Sequence, residues 1–439
     1  MNFSERLNSV LENYLLPIGG ALGNQRHLKA MRDGLIYAIP FTIMGGLVLI
    51  VGNPPIGENV TESNIFLKIM VAWRDWAAAN SAVINMPYSM TMGIMALFVA
   101  IGVAYNLARS YKMDTLSAST ISAATFLIVA APIKDGNIPA NYIDAKGIFT
   151  AIIVGLVTVE ITRFLKSNNI TIKMPEGVPP AVSSSFDALI PLAVNVLVFY
   201  FISLIVQNLS GMIIPQAIMT ALTPAVKAVD SAPAIFIFST ISQLFWFIGI
   251  HGAALVGAIL DPFKLANVAA NAEAYMTYQP LPHIFTDTFW AYYITLGGSG
   301  ATLGLTLLYL RSKSKQLNAI GKVAILPALF NINEPIIFGT PMVLNPIMLI
   351  PFVFVQGING VISYYVVKIG LVNASFASVP WTTPAPIGAF LATMDWRAII
   401  LVFALLILDM VLYYPFFKIY EKQLIEQEGE EEGIQEEVV

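Results

Sequence analysis

No cysteine occurs among the 439 residues. Disulfides, thiolate metal sites, a nucleophilic cysteine and a phosphocysteine relay within this chain are thereby excluded. The absence leaves the compartment open. Charge is scarce as well. Asp, Glu, Lys and Arg make up 11% of the chain and apolar residues 57%. A soluble domain carries roughly 25% charged and about 45–50% apolar residues. So few charges cannot cover a water-facing surface of ordinary size. An ordinary soluble enzyme, a disordered chain and a nucleic-acid binder are ruled out, which leaves a polytopic helical membrane protein. Only three histidines are present, none at metal-ligand spacing, so no metal site is expected. No P-loop, no GxGxxG after a strand and no carboxylate ladder of a proton pump is found. No cofactor is expected, and the energy for any driven transport is expected on another protein.

The charge that exists is uneven. Net charge is −4, and residues 421–439 hold eight acids against Lys422. That segment reads as an acidic, disordered, solvated tail. Met1 to Leu16 is not a signal peptide, because no small-residue cleavage site follows a short apolar core. With charges at Glu5, Arg6 and Glu12, it reads as an amphipathic helix on the cytosolic membrane surface.

A helix needs about 20 apolar residues to cross a bilayer. Clear spans are predicted at 33–52, 88–107, 115–133, 147–166, 184–208, 233–255, 343–368 and 390–417. Residues 64–82 and 211–230 carry internal charge (Lys68, Arg74, Asp75, Lys227 and Asp230) and read as interfacial helices or short spans. Two further apolar stretches are interrupted. Residues 285–310 contain Gly297-Gly298-Ser299-Gly300. Residues 319–341 contain Pro327, Asn331-Ile332-Asn333-Glu334-Pro335 and Pro341. Broken backbone at membrane depth survives only where protein or a polar cavity satisfies it, and it points to a transport site. If both stretches are hairpins entered from a cytosolic side that also holds Met1, 16 basic residues lie inside and 7 outside. If both cross, the split is 12 against 11. The positive-inside rule prefers the hairpins and puts both termini in the cytosol.

Most charges fall near predicted span ends, but Glu334 falls at the break of the second hairpin. A charge at that depth costs on the order of 3 kcal/mol. A structural carboxylate, an acceptor for substrate hydroxyls and a proton-coupling site are the three readings. His251 follows the run Phe245 to Ile250 and precedes Gly252. A lone buried histidine is usually structural, and only its place near a span end raises a functional reading. His27 and His283 have no special claim. The segment Pro380-Trp381-Thr382-Thr383-Pro384-Ala385-Pro386 cannot be regular helix. Trp381 there offers a flat apolar face beside two hydroxyls, which suits the C–H face and hydroxyl rim of a sugar. Trp73, Trp76, Trp246, Trp290 and Trp396 read as interfacial-belt or packing residues.

These residues carry a resemblance. The run Gly297 to Gly304 (GGSGATLG), the run Ser312 to Leu317 (SKSKQL), the motif Asn331 to Pro335 (NINEP) with Phe338-Gly339, and Trp381-Thr-Thr-Pro384 resemble the enzyme IIC permeases of the lactose/cellobiose class of the phosphotransferase system. The likeness extends over nearly the whole chain. Within that class it leans toward the N,N'-diacetylchitobiose and then the cellobiose permeases. The resemblance implies an all-α polytopic membrane protein of about ten transmembrane helices plus two re-entrant hairpins. It implies a homodimer in the bacterial cell membrane, with an N-terminal dimerisation domain (1–210), a C-terminal sugar-binding transport domain (211–420) and the acidic tail (421–439). It also implies a mechanism. A disaccharide is bound outside and moved inward while enclosed. A separate enzyme IIB then transfers phosphate from its cysteine to a sugar hydroxyl. Enzyme I, HPr and IIA feed that IIB, and the absence of cysteine here agrees with a separate IIB. Carried over residue by residue, Glu334 and His251 form the catalytic pair at one end of the sugar. Asn333, Trp381 and Thr382 line the pocket, and the Gly298, Ser299 and Gly300 backbone approaches the sugar closely.

An ion-coupled secondary sugar transporter is the alternative, because Glu334 and the broken helices suit it too. A membrane glycosyltransferase would need a donor-phosphate or metal constellation, and none is found. A passive channel would need a repeated ring of pore residues, and none is found.

Overall fold

The computed structural model describes residues 16–54, 56, 64–133, 136–175 and 177–438. The amphipathic segment expected at Met1 to Leu16 lies, apart from Leu16, outside the described residues. Helices and turns make up the described chain, and no β-strand element occurs in it. The helices that frame the two units and the site are α1 (Arg26–Ile36), α2 (Ile39–Gly52), α3 (Met95–Ser110), α4 (Thr115–Ala130), α5 (Ile148–Ser167), α6 (Leu189–Ser210), α7 (Ile214–Val229) and α8 (Ala232–Phe247). They continue as α9 (Gly252–Met276), α10 (Leu303–Leu310), α11 (Lys315–Leu329), α12 (Glu334–Gly339), α13 (Leu349–Lys368), α14 (Ala385–Thr393) and α15 (Arg397–Val438). A further 15-residue helix, Ile65–Ala79, covers the segment expected to be interfacial or a short span. Among the described residues seven helical segments are long and apolar enough to cross a membrane.

The chain forms two compact units. The first holds residues 23–228 and 257–282, and the second holds the rest. The compact units change over at 228/229, and 257–282 belongs to the first unit. Side chains show why. Glu273 on α9 pairs with Lys146 at 2.8 Å, and the Tyr275 hydroxyl donates to the Asn53 carbonyl at 3.2 Å.

In the first unit α3 is the central post. Its Ala, Val and Gly positions from Ala96 to Ala108 are buried against α1, α4 and α5. Small residues let these backbones meet. A Cβ on Gly102 would stand 2.7 Å from the Gly34 carbonyl oxygen, and one on Gly34 would meet Val103 at 2.6 Å. In lipid, where apolar side chains have no water to escape, such close contact is what holds helices together. At one end of this unit Glu160 accepts from His27 at 2.9 Å, from Tyr111 at 2.6 Å and from Arg163 at 3.0 Å. This knot joins the start of α1 to the ends of α3 and α5.

The structure departs from the sequence expectation at four places. The span expected at 233–255 is broken. α8 stops at Phe247, and Gly249 at φ +83° closes it, with Ile250 N–H bonded to the Phe245 carbonyl and Gly249 N–H to that of Trp246. This is a Schellman stop, which needs a left-handed residue after the helix. α9 was not among the predicted spans, and Asp261, Lys264 and Glu273 lower the hydropathy of its segment. In the structure Asp261 and Lys264 pair at 2.7 Å one turn apart, and Glu273 pairs with Lys146. Lys264, one of the 16 basic residues assigned to the cytosolic side by the hairpin arrangement, is a mid-helix residue that is 8% exposed. Next, the span expected at 390–417 starts late. Met394 at φ +48° ends α14, and Asp395 caps α15 by accepting from Arg397 N–H. Finally, residues 421–438 continue α15, where a disordered tail was expected. Glu421 is buried and bonded, which gives the helix a reason to persist.

The second unit holds both interrupted stretches. The first runs through a short helix (Asp287–Phe289), a wider π-turn (Trp290–Ile294), non-helical residues 295–302, and α10. The second is α11, a break at 330–333, and α12. α11, with 15 residues, rises about 22 Å, short of the roughly 30 Å core of a bilayer. No arm of either stretch is long enough to cross.

Candidate functional site

The break at Gly297 to Gly300 leaves four carbonyls without helical partners. Every one is met by a side chain. Thr302 Oγ1 donates to Gly297 O at 3.2 Å, Gln356 Nε2 to Gly298 O at 3.2 Å, Asn333 Nδ2 to Ser299 O, and the Tyr413 hydroxyl to Gly300 O at 2.6 Å. This satisfies the demand of irregular backbone at membrane depth. The same packing requires glycine. Gly298 and Gly300 lie at φ +100° and +83°, and a Cβ would come within 2.5 Å of Asn333 Cγ or of the Phe352 ring respectively. The glycine requirement at these two positions comes from protein contacts.

Asn331 ties the three motifs together. It sits at φ +61°, a conformation asparagine tolerates better than most residues. Its Oδ1 accepts from Gly297 N–H at 2.9 Å, and its Nδ2 donates to the Trp381 carbonyl at 2.7 Å. Asn333 adds a second bond, from Nδ2 to Thr302 Oγ1 at 2.9 Å. The GGSG loop, the NINEP break and the WTTP segment are therefore one hydrogen-bonded assembly.

On that mount three expected residues are left open. Glu334 starts α12 with its side chain exposed, and among the described residues its carboxylate makes no hydrogen bond or ion pair. Trp381 is 54% exposed, and its indole N–H has no partner among the described residues. The Thr382 hydroxyl is half-buried and likewise unbonded. Ser299 is half-buried, whereas Asn333, Gly298 and Gly300 are buried within the mount. The expected residues thus divide into those that hold the loop and those free to meet a ligand.

His251 occupies the α8–α9 turn. Its Nδ1 accepts from Ala254 N–H at 3.1 Å, which caps α9 and, in the neutral ring, leaves the proton on the exposed Nε2. The imidazole lies 4.6 Å from the Trp246 ring, centroid to centroid. His251 and Glu334 make no hydrogen bond to each other. The turn reaches the mount through amides. Gln243 Nε2 donates to Gln356 Oε1 at 2.6 Å, and Gln356 in turn donates to Gly298 O. The other histidines are structural. His27 pairs with Glu160, and His283 pairs with Asp230 at 3.0 Å, where Asp230 also accepts from Phe285 N–H and anchors the first stretch. No group of three metal-binding side chains gathers among the described residues.

Sequence reasoning passed over Asn331 as a site residue, and also Gln243, Gln356, Tyr413 and Asp409. Asp409 is a second carboxylate away from the predicted span ends. It is 0% exposed within α15 and accepts from Asn359 Nδ2 at 2.8 Å. The signal was available, because a polar side chain inside an apolar run at membrane depth calls for a partner.

Comparison with known proteins agrees with this geometry. Residues 32–355 match the family described as phosphotransferase system, EIIC. The lichenan permease IIC component of Bacillus subtilis (strain 168) is 36% identical, over 98% of this chain and 97% of its own. The cellobiose-specific EIIC component of Geobacillus stearothermophilus is 38% identical, over 97% and 96%. The crystal structure of the transporter ChbC, the IIC component from the N,N'-diacetylchitobiose-specific phosphotransferase system, superposes with a TM-score of 0.87 at 36% identity. It covers 95% of this chain and 99% of that one. An interrupted helical unit with an open carboxylate, and likeness over nearly the full length of each relative, lead to one assignment: the chain belongs to the EIIC family of the phosphotransferase system, the membrane-spanning sugar permeases.

Proposed function

We propose that this permease carries a β-linked disaccharide of the cellobiose or diacetylchitobiose type inward and presents one of its hydroxyls to a phosphorylated IIB. The observation that carries the reading is the open Glu334 carboxylate beside a mount whose own polar groups are bonded. A carboxylate accepts hydrogen bonds from two hydroxyls. The exposed Trp381 ring stacks on the C–H face of a sugar, and Thr382 adds a hydroxyl to its rim. His251, with Nε2–H outward, supplies a donor to the same end of the sugar. In the transfer the S–P bond on IIB breaks, an O–P bond forms at the sugar hydroxyl, and the hydroxyl proton passes to Glu334. Phosphorylation traps the product inside.

The basic ends of α1, α3 and α5 (Arg26, Lys29, Arg32, Arg109, Lys112, Arg163 and Lys166) share the end of the first unit knotted by Glu160. By the positive-inside rule these basic residues support a cytosolic orientation for that end and for the N-terminus. We place the C-terminus there as well, assign dimerisation to the N-terminal half, and draw the phosphate from enzyme I through HPr and IIA.

Glu334→Gln tests the reading. Disaccharide uptake should fall more than about 100-fold, as expected when a charged acceptor for buried hydroxyls is lost, with helix content and assembly kept. Normal uptake would remove Glu334 from the site. Competition among diacetylchitobiose, cellobiose and lactose on the purified protein names the cargo. In proteoliposomes, net accumulation driven by an ion gradient alone would favour the ion-coupled alternative.

A further inference from the structure

One face of α15 runs along both interrupted stretches. At 100° per residue, Asp409, Tyr413, Phe417, Tyr420, Glu421, Leu424 and Glu428 fall within about a third of the helix circumference. Along that face Tyr413 holds Gly300 O, and the Tyr420 hydroxyl donates at 3.2 Å to the carbonyl of Thr340, the residue that ends α12. Two turns of acid follow. Glu421 Oε1 accepts from the Ser312 hydroxyl at 2.7 Å and from Lys313 N–H at 2.8 Å, while its Oε2 accepts from Lys418 Nζ at 2.6 Å. Glu428 Oε1 accepts from the Ser314 hydroxyl at 2.6 Å and Gln316 N–H at 2.9 Å, and its Oε2 accepts from Lys315 N–H at 3.0 Å. Residues 312–316 are the link between α10 and α11 together with the first two residues of α11, and they join the arms that lead to the GGSG loop and to Glu334. Two carboxylates from the acidic end of α15 thus take three backbone N–H groups and two hydroxyls of that short link. Leu424, between them, is buried.

We propose that Glu421 and Glu428 are positioning residues for transport. They form a brace that fixes the common base of the two interrupted stretches, so that Asn331, Asn333 and Glu334 are held ready for the sugar. Neither carboxylate touches the site. They act through the link, and the length of α15 up to about Glu428 is part of the transport machinery. The inference rests on the permease reading for its functional half and on the hydrogen bonds alone for its structural half.

The full-length protein in nanodiscs carries the test, with Glu428→Ala, Glu428→Gln and, as control, Glu426→Gln. Glu426 is exposed and pairs only with Lys422 at 3.8 Å. Amide hydrogen exchange and cellobiose affinity are read together. In Glu428→Ala, exchange at Lys315 and Gln316 should rise about tenfold or more, the worth of a hydrogen bond to a charged group, and cellobiose affinity should fall about tenfold. Glu428→Gln keeps a carbonyl acceptor for Ser314 and Gln316 but sets an NH2 against Lys315 N–H, so it should restore protection at Gln316 and part of the affinity while Lys315 stays unprotected, whereas Glu426→Gln should change neither. Unchanged exchange in Glu428→Ala overturns the brace. Raised exchange with unchanged affinity overturns its positioning role. Should the unaltered protein bind no disaccharide, the permease reading fails, and the exchange result still decides the brace.

Discussion

The two units solve the same problem by opposite means. In the first, α3, α4, α5 and α6 run unbroken with no internal proline break, and α1 meets α3 backbone against backbone through Gly34 and Gly102. In the second, helices are interrupted at the site, and side-chain amides and hydroxyls replace the missing helical bonds. The difference teaches where function resides. Close-packed small residues make a rigid support, while a broken helix leaves polar groups that must be matched one by one. Once Asn331, Asn333, Gln356 and Tyr413 have matched them, Glu334, Trp381 and Thr382 remain free.

Substitutions in each unit can break or sharpen that contrast. Gly102→Leu should do the most damage, because a side chain there has the Gly34 backbone in its way. Overpacking of this kind costs several kcal/mol. Loss of folded protein by size-exclusion chromatography is the expected result, and a folded, active variant would show the helices free to separate. Asn331→Ala should follow, at about 3 kcal/mol, because Gly297 N–H and the Trp381 carbonyl lose their partner together. Sugar binding should fall well over tenfold with helix content nearly intact by circular dichroism. Intact binding would mean the three motifs hold together without it. Tyr413→Phe leaves one buried carbonyl, Gly300 O, unpaired, and should cost about 2 kcal/mol in thermal stability with a smaller loss of affinity.

The mildest effect belongs to the first unit and to pH. Burial pushes Asp144 up from 3.8 to about 6, although Lys146 opposes the shift through its backbone N–H and its charge. Between about pH 4 and pH 6 the folded protein therefore binds the proton more tightly than the unfolded chain. Stability should fall as pH rises through that window and level off above it. Asp144→Asn keeps an acceptor for the N–H of Lys146 and should flatten this slope, read as melting temperature against pH. An unchanged slope would assign it to another group.

Much of the fold is visible in composition and run length. The long spans at 88–107, 147–166, 184–208 and 343–368 correspond to helices because twenty apolar residues have one stable form in lipid. α9 escaped because hydropathy sums charges singly, while the bilayer responds to Asp261 and Lys264 as a pair. The Schellman stop at Gly249 escaped because a glycine inside an apolar run reads equally well as a packing position. At the site, Glu334 and Trp381 stand out as residues that lipid would reject, and the structure leaves both open. Asn331 was quoted in a motif yet not assigned, since its task depends on Gly297 and Trp381, respectively 34 and 50 positions away along the chain.

The amino-acid sequence by itself determined that this chain lives in a membrane, that its helices break at GGSG and NINEP, and that an acid sits at the second break. Those follow from local free energies: the cost of charge in lipid and the inability of glycine and proline runs to stay helical. Only the tertiary structure decided which polar groups are consumed and which stay open, and that α15 grips the link at 312–316. Hydrogen-bond partners far apart in the chain are chosen by packing, and no local preference encodes them.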